Sequence, residues 1–353
     1  MSRFGALLPA CQPLLRGGLP HQSLAQAAQL ICRYQPQTPA WPLPPPRTLA
    51  DTPFALATQG LPGIQIDIER DHLMVDQAIL EQEATKVSLA YLRGDTQPAA
   101  LTGSAYTALE EILHRLNAED RQPLLLKYET IGPVSLSLAL TDDHERPLAY
   151  DPEWREIILQ FCSLRVIWQH EQVQGYADHR LAMIEEPFLD ALSTPLCPLT
   201  WEDGLDMLNR FLADLPSWRG IFLNGHVHWS EILHLPVDVI GLHITEQLDS
   251  LLNATSALTE FLTDGGCLAW SIIPTEHRQI DTATATDLRD QVLKGMQQVA
   301  ETTGVALHIV QQQSFLSFTG SLSYMSPAYA EQALQLCSET AHLIQQAIGV
   351  SNQ

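Results

Sequence analysis

Two kinds of hydrophobic pattern alternate along this chain. In one, apolar residues follow one another without polar alternation for three to seven positions, as in Leu181-Ala182-Met183-Ile184, Ile221-Phe222-Leu223 and Cys267-Leu268-Ala269-Trp270-Ser271-Ile272-Ile273. Similar runs lie at 5–15, 63–67, 124–127, 237–243 and 305–310. In the other, apolar side chains recur every three or four residues beside polar ones, which predicts helices over 24–33, 106–116, 152–167, 200–212, 251–262, 287–301 and 327–348. Local signals support several starts: Ser23 before the first helix, Asp151-Pro152 as N-cap and first helical residue, and the capping-box spacing from Thr200 to Asp203.

Strands that are apolar throughout must be covered on both faces, which is the condition of parallel strands flanked by helices. About eight strand-helix units can be counted, so the predicted architecture is α/β, a single (β/α)8 TIM barrel spanning 1–353. A doubly wound open sheet is the alternative, but no G-x-G-x-x-G or P-loop opens a helix. Residues 38–47 carry five prolines and predict an irregular loop that either lines a pocket with Trp41 and Arg47 or simply packs one aromatic.

Composition narrows the partners. Of 353 residues, 45% are hydrophobic and 17% charged, as in a globular protein, and the formal charge is -22. So acidic a surface repels phosphate backbones and anionic lipid, so neither nucleic acid nor a membrane is an expected partner. Six cysteines without a C-x-x-C pair predict reduced thiols, mostly in the core. Near Arg3 the apolar stretch is interrupted by Pro9 and Pro13, which argues against a signal segment, and no stretch is long enough to span a bilayer. The predicted location is the cytoplasm.

In a barrel, the residues that close each strand converge on one mouth. Here these are Lys127, Glu185 with Glu186, Asn224 with His226 and His228, His243, and Ser271. Carboxylates and histidines together would supply acid/base or metal chemistry. Glu185-Glu186-Pro187 is either part of that mouth or a solvated turn. His226 and His228 have the H-x-H spacing of two metal ligands on an extended segment, or are exposed histidines. His243 is an acid/base group or a satisfied core histidine, and Trp229 and Trp270 are pocket wall or core.

These residues also carry a family resemblance. Gly17-Gly18-Leu19-Pro20-His21 is similar to a G-S-L-P-H motif, Trp41-Pro42 through Arg47 to W-P-x-x-P-x-R, and Gly60-Leu61-Pro62-Gly63 to G-L-P-G. Thr130-Ile131-Gly132-Pro133 resembles T-G-P with one insertion, and Ile184-Glu185-Glu186-Pro187 resembles I-D-E-P. Gly225 and Trp229 fit G-N-T-D-W, and Gly265-Gly266 through Pro274-Thr275 fits G-G-x-x-A-W-G-I-x-P-T. In this order the motifs resemble the catalytic barrel of cobalamin-independent methionine synthase, within the uroporphyrinogen decarboxylase/methionine synthase superfamily.

The resemblance implies a barrel in which zinc binds a thiol such as homocysteine and presents it as thiolate to a methyl donor. It places the metal ligands at Phe222, Asn224, His243 and near Thr319, and none of the four is the residue that the family carries at that position. Phenylalanine has no donor atom, and Asn and Thr are poor zinc ligands beside thiolates, so the usual zinc site is expected to be lost. The implied roles are Glu185 on a substrate amino group or other cation, Glu186, His226, His228 and His243 as catalytic or replacement metal residues, and His21, Trp41, Arg47, Trp229 and Trp270 around the substrate. Three readings follow: a methyltransferase-like enzyme acting on a small molecule such as an amino acid or thiol, with a corrinoid protein as a conceivable partner; a barrel that has lost catalysis and binds a ligand or partner; and a metal-free decarboxylase, which an acidic mouth disfavours.

Overall fold

The computed structural model describes residues 8–350 except Asp71 and Ser217, so Arg3 and the start of the first apolar segment lie outside the described residues. The described residues form nine strands: β1 Gln12–Leu14, β2 Ile64–Asp67, β3 His72–Val75, β4 Leu125–Ile131, β5 His179–Glu186, β6 Arg219–Leu223, β7 Val239–His243, β8 Cys267–Ile273 and β9 Ser314–Phe318. Seven of them make one parallel sheet in the order β1-β9-β8-β7-β6-β5-β4, while β2 and β3 pair as a separate antiparallel hairpin. Every residue of β8 and β9 is buried, as predicted for parallel strands covered on both faces.

The sheet is curled. Leu14, Leu125, Leu181, Met183, Phe222, Val239, Cys267, Ala269 and Phe315, drawn from all seven strands, form one inner cluster. A second, larger cluster joins the outer face to the surrounding helices. Phe222 needs room inside: a Cβ on Gly241 of the neighbouring strand would lie 1.9 Å from its ring.

The eight-stranded barrel is corrected to seven strands among the described residues. Between the edges β1 and β4 runs the first half of the proline-rich segment, which pairs with β4 through a parallel bridge at Ala40 and Lys127. Leu125 N–H donates to Gln37 O, Lys127 N–H to Pro39 O and Trp41 N–H to Lys127 O. Towards β1 the Thr38 hydroxyl donates to Pro13 O. Pro39 and Pro42 have no N–H, so this segment cannot sustain a ladder on both sides.

Four other expectations change. Residues 63–67 form a strand, but in the hairpin and outside the main sheet. Residues 305–310 belong largely to a helix, Leu307–Gln312, and the strand follows it as β9. The predicted helix over 251–262 is two helices, Ile244–Leu252 and Thr255–Thr263, with Asn253 and Ala254 between them. Lys127 sits in the middle of β4 instead of at its end. The predicted caps form: Ser23 accepts from Gln26 N–H, Asp151 from Glu153 N–H, and Thr200 and Asp203 make a reciprocal capping box. No described helix is long and apolar enough to cross a membrane.

Candidate functional site

Parallel strands all deliver their carboxyl ends to one side of the sheet, and there a cavity of about 550 Å³ opens. That size is ordinary for a small-molecule site, where pockets run roughly 300–1,000 Å³. Its walls are mostly apolar and include Trp41, Phe54, Leu56, Leu101, Ala105, Pro187 and Phe188. His72 and Leu73 of the β2–β3 hairpin contribute to the wall, and the hairpin is tied down by Val75 N–H to Thr141 O and by the His72–Thr141 side-chain contact.

The polar centre is Arg16, just beyond β1. Its guanidinium meets Glu185 in a two-pronged ion pair, Nε to Oε1 at 2.9 Å and Nη2 to Oε2 at 2.7 Å. Nη2 also donates to Asn224 Oδ1 at 3.0 Å, Nη1 to Thr319 O at 3.3 Å, and Cζ lies 4.8 Å from the centre of the Phe222 ring. Side-chain exposures of 9% and 14% keep the pair largely out of solvent, so the match between fork and carboxylate carries much of its strength. Thus Arg16 contacts three of the four positions at which the resemblance places metal ligands. It also lowers the pKa of the fourth, His243, though burial is the larger cause and Glu246 opposes both.

A second ion pair lies nearby. Lys127 and Glu129 are both buried and in contact, and Glu129 Oε2 also accepts from Gly17 N–H at 3.1 Å. Burial pulls the Lys127 ammonium down, Glu185 pushes it up and Arg16 adds to the lowering. Glu129 lines the cavity with Arg16, Glu185, Arg165 and Gln169. With two arginines as well as two glutamates in its lining, the mouth is not the acidic one expected.

The other predicted residues are scattered. Glu186 is fully buried and does not line the cavity; its carboxylate accepts Val134 N–H at 3.1 Å and Ser135 N–H at 2.7 Å at the start of the helix Pro133–Ala139. A Cβ on Gly132 would stand 2.1 Å from Glu186 Oε1, which explains that glycine. His226 is exposed, and exposed His228 packs against Trp201 with ring centres 4.5 Å apart and reaches Glu231 at 3.7 Å. His243 lines a different, more polar cavity of about 670 Å³ with Ser271 and Thr275, and only Asn224 and Thr319 border both cavities. His226, His228 and His243 therefore share no site, and no group of three or more metal-ligating side chains exists among the described residues.

Trp41 does line the first cavity, with its indole N–H bonded to Ala105 O at 2.9 Å. Arg47 is exposed and donates to Gln22 O at 2.7 Å, pinning the proline-rich segment instead of facing the cavity. His21 is buried outside the cavity wall, and burial lowers its pKa against the raising effect of Glu331. Trp229 and Trp270 are core residues, bonded to Ser250 and Ser314.

Arg16, Glu129, Arg165 and Gln169 went unnoticed in the sequence. Arg16 had a signal: it follows an apolar run directly, as Glu185 does. Arg165 and Gln169 lie four residues apart in the long helix Pro152–Gln172, whose polar residues carry no local mark of burial.

No protein-family model and no curated protein sequence matches the chain. Among solved structures it is similar to a methyltransferase from Methanosarcina mazei, at 12% identity over 94% of this chain and 96% of that one, with a TM-score of 0.56. It is similar also to a B12-independent methionine synthase from Shewanella sp. W3-18-1 in complex with selenomethionine, at 12% identity over 97% of this chain and all of that one, with a TM-score of 0.59. At this identity the likeness is one of fold, and the chain shares the curled parallel α/β architecture of these methyltransferase and methionine-synthase structures.

Proposed function

We propose that this protein is a methionine-synthase-like, methyltransferase-type barrel that handles a small molecule in the cavity beside Arg16, without the zinc-thiolate chemistry that the resemblance implies. The observation that carries this reading is the surroundings of Arg16. Phe222 offers no lone pair and lies under the guanidinium, Asn224 Oδ1 and the Thr319 carbonyl accept from it, and the Thr319 hydroxyl faces Thr275. That leaves the His243 imidazole as the one strong donor, and a fixed cation amid these positions repels a divalent ion. The residues present do not fit zinc.

A second reading, a barrel that binds without catalysis, is favoured by the dispersal of Glu186, His226, His228 and His243. Two measurements separate the cases. Elemental analysis of the purified protein is expected to find far less than one zinc per chain, unchanged by His226→Ala or His228→Ala; one zinc per chain, lost in His243→Ala, would overturn the proposal. Methyl transfer from a panel of donors, methylcobalamin included, to thiols and amino acids tests the enzyme reading directly. Saturable binding with no transfer favours the binding barrel.

A further inference from the structure

We propose that buried Arg165, with Gln169 one helical turn away, forms a subsite in this cavity for the carboxylate of an organic acid whose body is apolar. The inference rests on the reading that the cavity takes a small molecule. Arg165 is 1% exposed, yet it lines the cavity, as does Gln169. Its Nη2 donates to Gln59 O and its Cζ lies 5.6 Å from the Phe161 ring centre, but Nε and Nη1 have no hydrogen-bond partner. Gln169 donates from Nε2 to Glu129 O at 3.2 Å; its unpartnered Oε1 is an acceptor, so towards a carboxylate Gln169 offers only the second Nε2 hydrogen.

A guanidinium is among the last groups to give up its proton, so although burial pulls its pKa down, Arg165 carries its charge at neutral pH. Beside burial, the Cys162 thiol acts on its charge, and no described carboxylate forms an ion pair with it. This is notable in a chain with 41 acidic residues against 19 basic ones. Arg16, by comparison, is fully engaged by Glu185. A buried cation without a counter-ion is strongly unfavourable, and one that borders a cavity is relieved when a ligand brings the opposite charge. The unpartnered nitrogens are closed to water in the ligand-free protein, so a carboxylate pairs with them where the cavity wall gives way around it, and the pair then forms in a low-dielectric setting, where ionic hydrogen bonds are strong. Trp41, Leu56, Leu101 and Ala105 supply the apolar wall, and Phe54 stacks on Phe188 at 5.4 Å beside it.

The test uses matched pairs of one shape and different charge, 3-phenylpropionate with its amide and octanoate with its amide, titrated calorimetrically into wild type, Arg165→Met and Arg165→Lys. Wild type is expected to prefer each acid by roughly 30-fold, as one charge-assisted pair would give. Arg165→Met should erase that preference by weakening the acid alone, and Arg165→Lys should retain part of it. Melting of the ligand-free proteins separates this role from a structural one: loss of an uncompensated charge leaves Arg165→Met at least as stable as wild type, whereas a structural arginine predicts a clear drop. Equal binding of acid and amide to wild type, or a preference that survives Arg165→Met, overturns this inference alone. Binding of no compound of either kind overturns the cavity reading and this inference with it.

Discussion

Replacing Glu186 with glutamine sets two opposing forces against each other. Burial disfavours the charged carboxylate, while the Val134 and Ser135 N–H groups, with the Ser135 hydroxyl, favour it; burial wins and the pKa rises from 4.5 to about 7. Because the folded value lies above the unfolded one, the folded state holds the proton more tightly. The stability this contributes is fully present below pH 4.5 and is lost as pH rises through about 7. At about 1.4 kcal/mol per pKa unit, the gap amounts to roughly 3 kcal/mol. Glu186→Gln keeps the shape and removes the titration, at the loss of one accepted N–H bond at every pH. Urea unfolding of both proteins between about pH 4.5 and about pH 8 should show the variant gaining roughly 3 kcal/mol on wild type across that range. A constant difference would refute the argument. A drift in the opposite direction would mean that the helix N-terminus wins and the carboxylate titrates below its ordinary value.

Gly241→Ala should destabilise the fold by roughly 1–3 kcal/mol, since the new methyl would overlap a Phe222 ring that is boxed inside the sheet. Phe222→Leu should recover part of the loss, and an unchanged urea midpoint in the single variant would contradict the packing argument. Five of the six cysteines are buried and Cys197 is partly exposed, so a thiol reagent should label one cysteine quickly in the native protein and all six after unfolding. Burial also pushes the Cys11 and Cys267 thiols up to about 12, which removes the reactive thiolate. The fast phase should vanish in Cys197→Ser, and two or more fast thiols in wild type would count against the described core. Glu185→Ala, by stranding the Arg16 guanidinium, should lose roughly 3–5 kcal/mol by the same urea assay. A loss below 1 kcal/mol would show that the pair is effectively solvated.

Local patterns in the chain determined most of the elements. Fully apolar runs announced β5, β6, β7 and β8, and the cap residues Ser23, Asp151 and Thr200 marked helix starts, because burial on both faces and the capping of free N–H groups act on neighbours in sequence. The same logic missed β9. Its buried Ser314 and Ser317 break the apolar run, and their hydroxyls are satisfied by Val310 O and Leu14 O, partners that only the folded chain supplies. It also assigned Pro39 and its neighbours to a plain loop, although they run along the edge of β4 and span the gap towards β1.

The site divides along the same line. Glu185 and Trp41 were legible because each stands at a break in an apolar or proline-rich pattern, and both line the cavity. Their neighbours Glu186 and Arg47 looked equivalent, yet one caps a helix and the other holds a loop at the surface. In β5, successive side chains point to opposite faces, so of Glu185 and Glu186 only one can turn towards Arg16. Sequence alone determined an α/β chain of parallel buried strands, with polar residues collected at their carboxyl ends. Only the tertiary structure decided which of those residues meet, since Arg16 finds its partners at Glu185, Asn224 and Thr319, far away along the chain. Contacts across such separations depend on how the sheet curls, and no local pattern encodes that.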